Sequence, residues 1–219
     1  PVFQAIFSFM YDAHLASHGK KILNIYSSRD ASGVREEVFR EHFFSKSEYS
    51  SIDFWEDSFG GTNCSNERLY GLLYEDNSFD IAITTKVVLE HMTEPFLFLQ
   101  EMYRVLKSGG ELFLIAPLVR RQHQIPYDYF RFTEYGLKYL LNKAGFKDVS
   151  IKHTNGFMTT IGFYAYFFER GLGLPKFLGK IIDFFNYWIT EPLCYFLDRF
   201  DNGYGRDFTL CFLVRAKKK

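Results

Sequence analysis

Apolar runs of strand length alternate with stretches of helical periodicity along most of the chain, the pattern of a largely parallel sheet covered by helices. The first expected strand is 21–26, followed by a polar turn at 27–32 and a helix at 33–44. A second strand ends at Ile52 and Asp53, and a weak one is expected over 68–72. Residues 79–84 read as a buried central strand entered through the turn-forming Glu75, Asp76, Asn77 and Ser78. The next helix, 95–106, opens on Pro95, carries Phe98, Met102 and Val105 on one face, and is expected to stop at Ser108, Gly109 and Gly110. A strand at 111–116, a helix at 133–144, a strand at 149–153 and a last strand at 208–214 complete the α/β pattern. Between the last two strands lies an aromatic stretch, 157–200, that a minimal α/β domain does not need.

At 219 residues the chain suits a single domain over 1–219 with 157–200 as a helical insertion or cap within it. Lys+Arg and Asp+Glu both number 26, which argues against a nucleic-acid binder relying on bulk charge. The aromatic share of 20% exceeds what one core requires and points to an apolar cleft, an oligomer interface or membrane contact. Within 177–197, Lys180, Asp183, Glu191 and Pro192 interrupt the apolar run, so no spanning helix is expected there. The insertion can therefore cap the cleft, form a homodimer interface or lie on a membrane surface. Cys64, Cys194 and Cys211 are widely spaced, so no disulfide framework and no metal site are expected, with a reducing, cytoplasmic setting as the default. Residues 1–11 are apolar but lack a basic lead-in and a small-residue cleavage pattern, and no signal peptide is expected.

In doubly wound folds ligands sit beyond the carboxyl ends of the strands, where an acid closing the second strand can accept hydrogen bonds from both ribose hydroxyls of a nucleoside. Asp53 stands at that place, 27 residues after Tyr26, against the roughly 20 of the dinucleotide fingerprint. Spacing alone leaves open that Asp53 only starts a surface loop.

The run Asn77-Ser78-Phe79-Asp80, Val88-Leu89-Glu90-His91, Glu101 to Gly110 with its Arg104-Val105-Leu106-Lys107 core, and Ile115-Ala116-Pro117 resembles the central part of class I S-adenosylmethionine-dependent methyltransferases. It is most similar to their type 11 branch, with Ser108 in place of the usual proline. Pro126 to Thr133, Gly136-Leu137 and Ala144-Gly145-Phe146 match a further pattern of that branch associated with polysaccharide biosynthesis. The resemblance implies a Rossmann-like, seven-stranded sheet with the last strand antiparallel, and S-adenosylmethionine as cofactor with S-adenosylhomocysteine as product. It implies that Asn24, Tyr26 and Ser27 approach the methionine part, Asp53 the ribose and Phe54 the adenine. Glu67, Arg68 and Leu69 then lie at the adenine edge, and Thr84 and Thr85 near the sulfonium. One departure stands out: the family's acid and glycine-rich turn is replaced by Asn24-Ile25-Tyr26-Ser27-Ser28-Arg29-Asp30, with no glycine before Gly33. Glycines let backbone pass close to a ligand. Either this turn takes another path and keeps the cofactor, or cofactor binding is lost.

Methyl transfer from an activated sulfonium needs alignment and, for a poorly acidic hydroxyl, a base. The candidates are His123, Asp128, Tyr129 and Arg131, with His91 suited equally to a structural hydrogen bond. Arg120, Arg121 and Arg131 can recognise an anionic sugar by bidentate contacts or simply solvate a loop. Tyr127 and Tyr129 can stack on a ring or pack the loop. The tail 215–219 is a solvated strand end. Two functions fit: a methyltransferase acting on a small molecule or glycan precursor, at oxygen, and a catalytically inactive methyltransferase-like scaffold that binds a partner.

Overall fold

The computed structural model of the chain describes residues 2–26, 36–54, 69–84 and 88–219. The elements run α1 (Val2–Ser17), β1 (Lys21–Tyr26), α2 (Glu36–Phe43), β2 (Glu48–Asp53), β3 (Phe79–Thr84), α3 (Pro95–Val105), β4 (Leu106–Pro117), α4 (Glu134–Ala144) and β5 (Lys147–His153). An inserted group follows, α5 (Phe157–Gly171), α6 (Lys176–Phe185), α7 (Glu191–Leu197) and α8 (Gly205–Phe208), and then β6 (Cys211–Lys217). The sheet order is β2-β1-β3-β4-β6-β5. β1 pairs parallel with β2 and β3, and β3 with β4, whereas β6 runs antiparallel between β4 and β5.

Side chains alternate across a strand, so a sheet covered on both faces needs two apolar sets. Ile22, Ile81, Ile83, Phe113 and Ile115 face α1, where Phe9, Met10 and Ala13 cover them. Leu23, Ile25, Ala82, Leu112 and Leu114 face the opposite layer, closed by Phe98, Met102 and Val105 of α3 and Leu137 and Leu141 of α4. The helix at 133–144 follows its signals closely: the Thr133 side chain accepts a bond from the Gly136 N–H at 3.1 Å, and Gly145, at φ +109°, ends the helix in the left-handed conformation.

Four expectations need correction. The sheet holds six strands among the described residues, not seven. Arg68 lies outside them, and 69–72 is tied to helix α3 rather than to a ladder. The Leu72 N–H donates to the Glu101 carboxylate at 2.6 Å, and the Tyr70 hydroxyl accepts from the Glu94 N–H at 2.9 Å. Helix α3 stops at Val105, earlier than the glycines suggest, because β4 starts at Leu106 and absorbs them in an irregularity of the β3–β4 pairing. A Cβ on Gly110 would meet the Lys107 carbonyl oxygen at 2.8 Å, so glycine there serves strand packing, not helix termination. The last strand begins at Cys211 instead of 208, because Gly205–Phe208 is a helical turn and Thr209 is held by Thr154 and Asn155.

The insertion is helical as expected, and two carboxylates anchor its start, Asp201 by accepting the Phe157 N–H at 3.3 Å and Asp198 by three bonds. Asp198 accepts N–H bonds from Gly156, Met158 and Thr159 at the start of α5, where its charge also suits the helix dipole. Phe163 and Tyr164 of α5 pack against the core, but beyond α5 the apolar residues Phe177, Ile181, Phe184, Phe185, Trp188 and Phe196 are exposed. Among the described residues no helix is long and apolar enough to cross a membrane.

Candidate active site

The carboxyl ends of β1, β2 and β3 lie side by side, with Tyr26 opposite Asp53 and Ile25 opposite Thr84. Asp53 is 8% exposed and half-buried Tyr26 is its register partner, so these two stand at the edge where a nucleoside would lie. The other described residues assigned to the cofactor are held within the protein. The Asn24 amide donates to the Tyr49 hydroxyl at 2.7 Å, on the α1 side of the sheet. The Thr84 hydroxyl accepts the Ile115 N–H at 3.3 Å. Leu69 and Phe54 are fully buried, and the Phe54 ring stacks on His91 at 5.7 Å between centroids. Ser27, Arg68 and Thr85, along with Glu67 and the glycine-free turn after Tyr26, lie outside the described residues.

Beyond β3 a short turn, Leu89–His91, carries the chain into the site. The Glu90 carbonyl accepts the N–H of Tyr129 at 2.9 Å and of Phe130 at 3.2 Å, so the 118–132 segment is suspended from this turn. The Phe132 N–H closes it onto the Pro117 carbonyl at 2.9 Å. At its centre is a knot of charge. Arg131 directs Nη1 and Nη2 at the two oxygens of Asp128, at 2.6 and 2.7 Å, and spends its remaining donors on the carbonyls of Arg120, Arg121 and Phe130. All five guanidinium donors are thereby engaged. Arg131 keeps no N–H for an anionic acceptor; it shapes the loop. Asp128 is 2% exposed at its side chain. Burial alone would raise its carboxyl, but the bonds from Arg131 and the His123 N–H outweigh that and hold it at about 2. Arg121 lies over the Phe167 ring at 4.9 Å, and Arg120 bonds the Cys211 thiol, which burial pushes up to about 11. Arg120 and Arg121 tie the loop to neighbouring elements while Arg131 braces it from within, and the three do not converge on one point.

The Arg131–Asp128 pair presents His123. Its Nδ1 lies 3.3 Å from Asp128 Oδ2, and its Nε2 lies 3.3 Å from Oε1 of Glu90. The His91 ring meets the His123 ring edge-on at 4.9 Å, and its Nδ1 donates to the Tyr127 carbonyl at 2.6 Å. Its Nε2 lies 3.6 Å from the same Glu90 oxygen. Burial, against the pull of Glu90, lowers the pKa of His91, so it is neutral near pH 7. Tyr129 is 43% exposed beside this group. Sequence reasoning passed over Glu90, although an ionisable pair, Glu90 and His91, directly following the apolar Val88 and Leu89 was a legible signal.

The sheet order, the antiparallel β6 and the site at the carboxyl edge define the fold of the class I S-adenosylmethionine-dependent methyltransferases. Residues 48–114 match the family model described as a methyltransferase domain. The structure resembles an S-adenosylmethionine-dependent methyltransferase from Archaeoglobus fulgidus, with TM-score 0.56, 16% identity and coverage of 100% of this chain and 95% of that one. It also resembles 1,6-didemethyltoxoflavin-N1-methyltransferase from Burkholderia thailandensis, solved with its substrate and S-adenosylhomocysteine, with TM-score 0.54, 14% identity and coverage of 98% and 78%. Phosphoethanolamine N-methyltransferase 2 from Haemonchus contortus, solved with phosphomonomethylethanolamine and S-adenosylhomocysteine, gives TM-score 0.52 at 14% identity and coverage of 97% and 52%. No curated protein matches the sequence.

Proposed function

We propose that this chain is an S-adenosylmethionine-dependent methyltransferase that methylates a small molecule or glycan precursor at oxygen, in the cytoplasm. The observation that carries the proposal is Asp53, a nearly buried carboxylate closing β2 beside Tyr26 at the carboxyl edge of a methyltransferase-fold sheet. Its two oxygens suit the two ribose hydroxyls of the cofactor. The bound cofactor supplies a methyl group already activated on sulfur. The protein then has to hold the acceptor in line and receive its proton. His123, oriented by Asp128 and backed by Glu90, is the group placed to receive it, and Tyr129 offers a ring face to the acceptor.

Calorimetric titration with S-adenosylhomocysteine tests this directly. Micromolar binding, weakened about 10-fold or more in Asp53→Ala by loss of charge-assisted hydrogen bonds, supports it. Absence of binding up to millimolar concentration in a folded sample overturns it. That outcome favours a non-catalytic scaffold, for which the exposed aromatic face of α6 and α7 is the contact surface, for a second copy or a membrane.

A further inference from the structure

We propose that Glu90, His91 and His123 form a binding site for a divalent transition-metal ion of the zinc type. One ligand atom from each lies within 4.8 Å of the others. The side chains of Glu90 and His91 are wholly buried and that of His123 is 19% exposed.

The hydrogen-bond directions carry the argument. His91 gives its Nδ1 proton to the Tyr127 carbonyl, so its neutral ring presents a lone pair at Nε2. The Nδ1 of His123 is flanked by the Asp128 carboxylate and the Arg121 carbonyl, both acceptors, each at 3.3 Å, so its proton belongs there and Nε2 again presents a lone pair. Both lone pairs face Oε1 of Glu90. Among the described residues neither oxygen of this buried carboxylate meets a hydrogen-bond donor. A buried carboxylate facing two nitrogen lone pairs is costly unless something positive sits among them. The spacing fits such an occupant: ligands about 2.0 Å from a tetrahedral ion stand ~3.3 Å apart, against the 3.3 and 3.6 Å found here.

The surroundings repeat the pattern of built metal sites, in which each ligating histidine gives its other N–H to a fixed acceptor. The Tyr127 carbonyl does this for His91, and the Arg121 carbonyl does it for His123, with the Asp128 carboxylate, itself clamped by Arg131, at the same 3.3 Å from that nitrogen. Two imidazoles and one carboxylate select zinc-type ions over magnesium or calcium. Three protein donors leave a fourth position for water or an acceptor hydroxyl, whose proton the ion would acidify. With the ion bound, the Nε2 lone pair of His123 is a ligand, and the proton-accepting role proposed for it above belongs to the metal-free site. The proposal does not depend on methyl transfer, since metal binding is read without cofactor or acceptor.

The test is titration of the chelator-treated full chain with Zn²⁺ by calorimetry, and with Co²⁺ by its visible ligand-field absorption. One equivalent is expected to bind, with the intense band of a four-coordinate site. Glu90→Gln and His123→Gln are expected to abolish that band, and Asp128→Asn to weaken affinity about 10- to 100-fold. His123 lies on a loop, so its variant stays interpretable if Glu90→Gln does not fold. His18→Gln controls for the exposed His14–His18 pair, whose Nε2 atoms are 3.3 Å apart, and is expected to change nothing. Folded wild type that binds neither ion, or binds them as His123→Gln does, overturns the proposal.

Discussion

Arg131→Lys isolates the geometry of the loop knot from its charge. The guanidinium makes two charge-assisted bonds to Asp128 and reaches three carbonyls, while a lysine ammonium is a point donor that can meet one carboxylate oxygen at most. Water can replace the bonds to the carbonyls, because Arg131 is 25% exposed at its side chain. It cannot easily serve Asp128, exposed only 2%. The net loss is therefore close to one charge-assisted bond plus partial desolvation of a carboxylate, about 2 to 3 kcal/mol, below the roughly 3 to 5 kcal/mol of losing a buried partner outright. With a urea m-value near the upper end of the usual range, about 2 to 3 kcal/mol per molar, the midpoint should fall by about 1 M at unchanged m. The loop could open without the domain unfolding, so amide exchange at Tyr129, Phe130 and Phe132 provides the second measurement; their bonds to Glu90 and Pro117 should lose protection. An unchanged midpoint together with unchanged exchange would show that the knot does not hold the loop, and the presentation of His123 would need another cause.

Gly145→Ala places a Cβ 2.9 Å from the Tyr103 ring at φ +109°, and should cost about 2 kcal/mol, seen in calorimetry as a melting temperature lower by about 4 to 8 °C. Asp80→Asn removes an ion pair with Lys107 at 2.8 Å beside the Lys21 N–H contact. Burial opposes ionisation of Asp80, but these bonds outweigh it and hold the carboxyl below its ordinary 3.8. Its contribution is thus present above that value and lost as pH falls through the depressed one. Denaturant melts should show wild type ahead by about 1 to 2 kcal/mol at pH 7, with the gap closing in acid below about pH 4. Phe184→Glu with Trp188→Glu, at positions 59% and 63% exposed, should leave stability within about 0.5 kcal/mol while reducing self-association in sedimentation or binding to anionic vesicles in flotation.

The central strands and the α4 helix were legible because their local signals agree with their tertiary setting. Leu23 and Ile25 are apolar and buried, and Thr133 and Gly145 cap the helix between them. The α3 boundary was misread because Ser108, Gly109 and Gly110 carry the same residue types whether they end a helix or bend a strand; only the close approach of Gly110 to the Lys107 carbonyl distinguishes them. The expected strand near 68–72 failed for a different reason. A short apolar run has no preference strong enough to resist the Glu101 carboxylate, which takes the Leu72 N–H for helix α3.

The site shows where sequence reasoning stops. His123, Asp128, Tyr129 and Arg131 were all found as chemically capable residues of one loop, but type and spacing do not tell a group that meets substrate from one that holds the loop. That distinction depends on how many donors and acceptors are already used. Arg131 spends all five donors internally, and Asp128 is committed to Arg131 and to the His123 N–H. His123 and Glu90 retain unmet capacity facing each other across 3.3 Å. Glu90 is 33 residues before His123 in the chain, and they meet only because the loop hangs from the Glu90 carbonyl. The same backbone bonds that fix the loop thus create the one cluster of buried acceptors in the described site that lacks a compensating donor, which is why the reactive capacity of this edge concentrates at Glu90 and His123.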